Sequence, residues 1–337
     1  MIAKDDCSIK CAITQNTSLA LKGFFSILVI ICHIRGEVDA LNGTLIGKVV
    51  TQFGYLSVSI FFFLSGYGLW KRGKEDSNYL ASFLKKRVLS LYIQYVLLIF
   101  FYATLFLVWN KKIEVTTFAQ SFLFGKTVVP YGWYFQAITV FYLIFYLSCR
   151  FLNKKGQIVG IAFGLCLYAL FCFSWKLTTT WYETSFAFLT GVVLAEYEGK
   201  VKYISLKQII KGSFQLFILT VITIILGTNK SLGCVATLFK MISAVFFCLI
   251  VYYAAIVYSE FENNIVASSL RKLGTLSLEV YAFQGVVILF VLIPLVDSLN
   301  PAIIFSLGIG LVICCAIIVH PAFEKIRKIL LRLRCSR

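Results

Sequence analysis

The sequence predicts an all-α, polytopic integral membrane bundle of about ten transmembrane helices with both termini cytoplasmic. Three observations predict it. Of 337 residues, 60% are hydrophobic and only 14% charged, with a mean hydropathy of +0.87, whereas a soluble domain carries roughly 25% charged residues. Ten segments approach the ~20 apolar residues that a bilayer crossing takes: 18–34, 51–70, 88–108, 133–149, 157–174, 183–197, 209–227, 234–259, 273–296 and 302–320. Lysine and arginine then divide between the loops as the positive-inside rule requires. With the N-terminus inside, 23 of the 32 basic residues fall in inner segments. Seven lie in outer loops (Arg35, Lys48, Lys111, Lys112, Lys126, Lys176, Lys230), and Lys22 and Lys240 lie in the spans.

The first segment follows a mostly polar tail, 1–17, and no small-residue cleavage site closes it, so it is expected to remain as a helix. Segments two and three flank the most basic inner loop, which holds Lys71, Arg72, Lys74, Lys85, Lys86 and Arg87. The fourth opens on the outer side with "PYGWYFQ", 130–136. Its Trp133 and Tyr134 fit an interfacial aromatic belt, or, with Gln136, a sugar-facing wall that binds an acceptor. The sixth segment is short, which predicts a tilted, broken or longer helix. The eighth carries Lys240, the ninth Glu279 and the tenth ends at His320 before Pro321. The basic tail 321–337 has Ile326, Leu330 and Leu333 at helical spacing, which suits an anionic inner leaflet. The chain therefore reads as one transmembrane domain, 18–320, between two cytoplasmic tails.

The net charge of +17 on a soluble chain would point to nucleic acid; here topology accounts for it, and the expected partner is the lipid bilayer. Eleven cysteines without a C-x-x-C pair indicate neither a disulfide framework nor a zinc site. Cys7 and Cys11 are expected to be reduced thiols.

"LALKGFFSILVIICHI", 19–34, places a lysine and a histidine in an apolar helix, and an intramembrane ionisable group is by default a functional hypothesis. Lys22 and His33 are eleven residues apart, about 16 Å along a helix and about 20° around it, so they share a face. Lys22 can snorkel to inner headgroups and His33 can sit at the outer interface. Alternatively, neutral His33 is a general base. The second histidine, His320, is far away in sequence and neither has a carboxylate beside it, so no metal site is expected. Glu279, with Ser277, Tyr281 and Gln284 on the same segment, needs a partner in the bundle. Lys240 or an arginine at the inner mouth is the candidate, and Glu279 is a structural or a catalytic carboxylate. Ser65 and Gly66 in "FLSGYG" let helices pack closely or line a path.

Four stretches resemble acyltransferase family 3, membrane O-acyltransferases that acylate surface sugars. "LKGFFSILVIICHI" is similar to the family's first-helix pattern of a basic residue, ten residues and a histidine. "GYLSVSIFFFLSGYGL", 54–69, resembles its aromatic second helix ending in a Ser-Gly turn. "FLKKRVLSLYIQY", 83–95, resembles the basic start of its third, and "LGTLSLEVYAFQG", 273–285, a late helix. The family's third-helix pattern has a second arginine where this chain has Ser90, and its late motif often has a histidine at the place of Gln284.

The resemblance implies transfer of an acyl group, usually acetyl, from acetyl-CoA as substrate, with no bound cofactor, to a hydroxyl of a lipid-linked or surface polysaccharide. It implies His33 as the base that frees the attacking hydroxyl, with Glu279 a second catalytic candidate. Lys22, Arg87, Ser65 and Gly66 would bind the donor, with Lys85 and Lys86 beside them. Trp133, Tyr134, Gln136, Tyr281 and Gln284 would face the acceptor. It further implies a bacterial plasma-membrane protein. The rival from another class is a transporter or flippase of a lipid-linked glycan, with Lys22, Lys240 and Glu279 along its path; such proteins are often built from internal repeats, and none is visible here. The sequence leaves oligomeric state and acceptor sugar open.

Overall fold

The computed structural model describes residues 8–38, 41, 43–76, 78–198, 200–201, 203–259, 264–296 and 298–332. Cys7 and the last five residues of the basic tail, Leu333 among them, lie outside the described residues. The elements are β1 (Ser8–Lys10), α1 (Gln15–Val38), α2 (Leu45–Glu75), α3 (Ser90–Val108), α4 (Val115–Phe122), α5 (Trp133–Phe151) and α6 (Gly156–Ser174). There follow α7 (Phe186–Tyr197), β2 (Tyr203–Ser205), α8 (Leu206–Thr228), α9 (Cys234–Tyr258), α10 (Ile265–Thr275), α11 (Ser277–Val287) and α12 (Pro301–Arg332). Nine of the described helical segments are long and apolar enough to cross a membrane, making a polytopic helical bundle.

The sixth predicted crossing, 183–197, is a broken helix. α7 has 12 residues, about 18 Å, too few for a hydrocarbon core of about 30 Å. A short 3-10 turn, Thr179–Trp181, precedes it. Glu183, between the two pieces, pairs with Lys240 near the start of α9 at 3.2 Å, and Glu198, just after α7, pairs with Lys71 near the end of α2 at 2.9 Å. α7 lies parallel against α2, held there by glycines. A Cβ on Gly66 would stand 2.1 Å from the Phe188 carbonyl oxygen, and one on Gly191 2.1 Å from that of Phe63. Only the missing side chains let these backbones touch. Around this seam the core is aromatic, with Phe62, Phe63, Phe141, Phe145 and Phe188 fully buried.

The predicted ninth segment, 273–296, also divides. α10 is a separate amphipathic helix lying against the inner half of α1. A Cβ on Gly23 would meet the Leu270 carbonyl at 2.0 Å, and one on Gly274 that of Leu19 at 1.9 Å. The chain breaks at Leu276 and restarts as α11, which widens into a π turn at Ile288–Leu292 and tightens into a 3-10 turn at Ile293–Leu295. Pro294, which cannot donate to a helical hydrogen bond, sits in that last turn.

The tail differs from its expectation as well. The boundary expected at 321 is not a break: α12 continues through Pro321 to Arg332. Phe323 packs on Phe283 with ring centroids 5.7 Å apart, so this extension turns one face to the bundle.

Both described chain ends gather at one end of the bundle, the inner end by the basic-residue distribution. β1 pairs antiparallel with β2, Ser8 opposite Ser205. The Ile13 amide donates to the Tyr67 hydroxyl at 2.9 Å, which donates in turn to Glu198. Tyr252 donates to the Cys11 carbonyl at 3.2 Å. Cys11 is buried and unbridged; burial and the nearby Glu198 carboxylate push its thiol up from the ordinary cysteine value, which keeps it protonated at neutral pH.

Candidate active site

α1 is unbroken from Gln15 to Val38, so Lys22 and His33 keep the separation that helical geometry gives them. What surrounds His33 comes from α11 and the loop before α5; what surrounds Lys22 comes from α2, the turn before α3, α5, α11 and α12.

At the outer end, His33 Nδ1 lies 3.0 Å from Gln284 Oε1. The amide's other end, Nε2, donates to the Tyr281 carbonyl at 3.3 Å, which turns the Gln284 oxygen toward the histidine. An amide oxygen only accepts, so Nδ1 carries the proton and the lone pair of neutral His33 is on Nε2. Tyr131 stacks on the imidazole, centroids 3.7 Å apart and planes 8° from parallel. Its backbone is in the left-handed region, φ 60°, a conformation a bulky residue holds only when its surroundings enforce it. Two hydrogen bonds do so: the phenol donates to Glu37 at 3.1 Å, and the carbonyl accepts from the Tyr281 hydroxyl at 2.8 Å. Burial and the Glu37 carboxylate push the Tyr131 phenol up from its ordinary value, so it remains a donor.

At the inner end, a cavity of about 260 Å³ is lined by Lys22, Ser65, Arg87, Tyr134, Glu279 and Tyr281, among others. Arg87 enters from a π turn, Leu84–Leu89, that precedes α3; such wide turns recur at functional sites. One face of α5, Tyr134, Ile138 and Tyr142, forms a wall because residues four apart stack along a helix. Tyr281 joins the two halves: it lines the cavity, and its ring centroid is 6.4 Å from that of His33.

Several expectations are corrected here. A carboxylate does stand beside a histidine: Glu279, 5% exposed, is 2.7 Å from His320 Nδ1. The partner of Glu279 is therefore His320, and Lys240 pairs with Glu183 instead. Gly66 is buried under Phe188, a packing residue of the α2 to α7 seam, whereas its neighbour Ser65 lines the cavity. Gln136, expected to face the acceptor, has its amide engaged inside the fold. It is buried, accepting from the Gly125 amide at 2.9 Å and donating to Tyr95 at 3.0 Å and to the Ser121 carbonyl, so it braces the outer loop. Trp133 packs against Phe62 and Trp181. Tyr134 faces the inner cavity, its ring 4.8 Å from that of Tyr281.

Tyr131, Glu37 and Arg327, the last lining the inner cavity, were passed over by sequence reasoning, and His320 was weighed only as a metal ligand. Tyr131 stood inside the quoted "PYGWYFQ", where a Pro-Tyr-Gly run signals a turn; the others had no local signal. Among the described residues no three His, Cys, Asp or Glu side chains gather as they would to hold a metal ion. Chemically, the arrangement offers a hydrogen-bonded imidazole near one face of the membrane, a cationic cavity at the other, and an aromatic side chain shared by both.

A family model described as an acyltransferase domain matches residues 20–320 of the chain. Comparisons with curated proteins and with solved structures give no match.

Proposed function

The chain belongs to acyltransferase family 3 and is a membrane acyltransferase, and from that premise we propose that it moves an acetyl group from acetyl-CoA to a hydroxyl of a lipid-linked or surface polysaccharide. The observation that carries this reading is the pairing of His33 with Gln284. With Nδ1–H committed to the amide oxygen, Nε2 is the atom that takes the acceptor hydroxyl's proton as its oxygen attacks the thioester carbonyl. The tetrahedral intermediate then collapses, the carbon–sulfur bond breaks, and the coenzyme leaves as its thiolate, which takes up the proton.

The donor's position follows from charge and length. Lys22 and Arg87 suit phosphate, and both line the inner cavity. From Lys22 the α1 face leads about 16 Å to His33, comparable with the reach of a pantetheine arm. Tyr281 stands where the thioester would pass from cavity to histidine. The acceptor approaches from the outer side, where Tyr131 and Glu37 offer an aromatic face and a carboxylate, groups that recognise sugars. A bacterial plasma membrane, where surface glycans are assembled, is the location this reading entails.

The test is the O-acetyl content of surface polysaccharide, by proton NMR before and after mild base. Cells would carry no copy, the intact chain, or His33→Ala at matched membrane levels. Acetyl should appear with the intact chain only, with the variant down by roughly 10²–10⁴-fold, the range general-base removal gives. Unchanged acetylation in the variant would remove His33 from the chemistry; no acyl group added even by the intact chain would reject the reading.

A further inference from the structure

A second cavity, of about 410 Å³, adjoins the inner mouth of the first, lined by Arg72, Asp76, Tyr79, Lys86, Arg87 and Arg327 among others. Lys86, Arg87 and Arg327 line both cavities, so the two are compartments of one inner vestibule. The second has four cations against one carboxylate, and its cations are exposed, open to a ligand from the aqueous phase. Tyr79 brings its hydroxyl next to the Arg87 guanidinium, and Tyr79 and Phe83, edge to face at 5.6 Å, add an aromatic side. Clustered cations with aromatic rings are the chemistry that takes a multiply phosphorylated nucleotide.

Arg327 reaches this place by an unexpected route. It lies beyond residue 320, where the family match ends, on the part of α12 that runs on past Pro321. Glu324, one turn earlier, holds one guanidinium nitrogen at 2.6 Å. An arginine has five N–H donors, so the rest of the fork remains for an anion while Glu324 fixes its direction.

We propose that the second cavity is the subsite for the phosphorylated nucleotide end of the acyl-CoA donor, and that the α12 extension, through Arg327, completes it. This rests on the acyl-transfer reading above. It makes the α12 extension a working wall of the site instead of a membrane anchor.

The test uses the full chain in lipid nanodiscs, titrated calorimetrically with coenzyme A, with adenosine 3′,5′-bisphosphate and with pantetheine, which lacks the nucleotide. Arg327→Gln should weaken coenzyme A and the bisphosphate about tenfold, the loss expected for one charge-assisted hydrogen bond, and leave pantetheine unmoved. Arg327→Lys should lose less. Lys328→Gln, an exposed cation on the same turn that lines neither cavity, should bind like the intact chain. The proposal is overturned if the intact chain ignores the bisphosphate, if Arg327→Gln binds it undiminished, or if that variant loses pantetheine to the same degree. Normal nucleotide binding with no acyl group moved to any glycan would instead reject the acyl-transfer reading.

Discussion

At the scale of single residues, Gln284 decides which nitrogen of His33 is available. Replacing it by leucine keeps the bulk but removes the acceptor, so Nδ1–H loses its partner and the imidazole can adopt the other tautomer, with Nε2 protonated and unable to take a proton. Gln284→Leu should lower kcat roughly 10- to 100-fold, part of what a positioned base contributes, with little change in KM for the donor. Steady-state kinetics on reconstituted protein check this; an equal loss in donor affinity would mean the amide is only a packing group. The Lys22 and His33 stripe was legible in the sequence because both sit on one helix, whose period fixes their relative direction. The Glu279 and His320 pair was not, since the two lie 41 residues apart on different helices. Nothing local to either residue encodes the way α11 meets α12.

At the scale of elements, the seam between α2 and α7 shows how a helix too short to cross a bilayer on its own becomes a fixed part of the bundle. Glycine spacing lets the two backbones meet. Gly191→Leu would force a side chain into the Phe63 carbonyl, where a Cβ has only 2.1 Å, so the helices must separate. Overpacking of this kind costs about 1–3 kcal/mol or more, and the variant should lose thermal stability in detergent, read by size-exclusion after heating. The Glu183 and Lys240 pair ties the start of the same segment to α9, with Glu183 3% exposed. Removing one partner strands a buried charge at a cost of about 3–5 kcal/mol, whereas removing both is far milder. Glu183→Gln combined with Lys240→Met should therefore be more stable than either single variant; strictly additive losses would show that the two charges do not depend on each other. The sequence marked Lys240 as an ionisable group in an apolar segment and offered it to Glu279; Glu183 was not singled out. It could not say which carboxylate Lys240 would take, because the break before α7 is set by packing on α2 and not by any proline or glycine within 179–185.

At the scale of the whole molecule, function depends on which way each helix runs, and that depends on α7 most. Composition and basic loops made the bundle legible as far as its class, since hydropathy and charge are summed over many residues. A broken sixth segment was one of the readings the sequence offered, whereas the split of the ninth into α10 and α11 was not, because it is a local departure that tertiary contacts compensate. If the broken segment crosses the membrane, Thr178 before it and Lys200 after it lie on opposite faces, and α11 rises from the inner side to bring Gln284 level with His33 at the outer end. If it does not cross, every helix from α8 onward is inverted relative to α1, and the His33 to Gln284 hydrogen bond could not form. Both positions are exposed. Cysteines placed there one at a time, with the unsubstituted chain as background, should react with a membrane-impermeant maleimide from outside the cell at 178. At 200 they should react only in inverted vesicles. Labelling of both from the same side would reverse five helices and separate the imidazole from the amide that orients it.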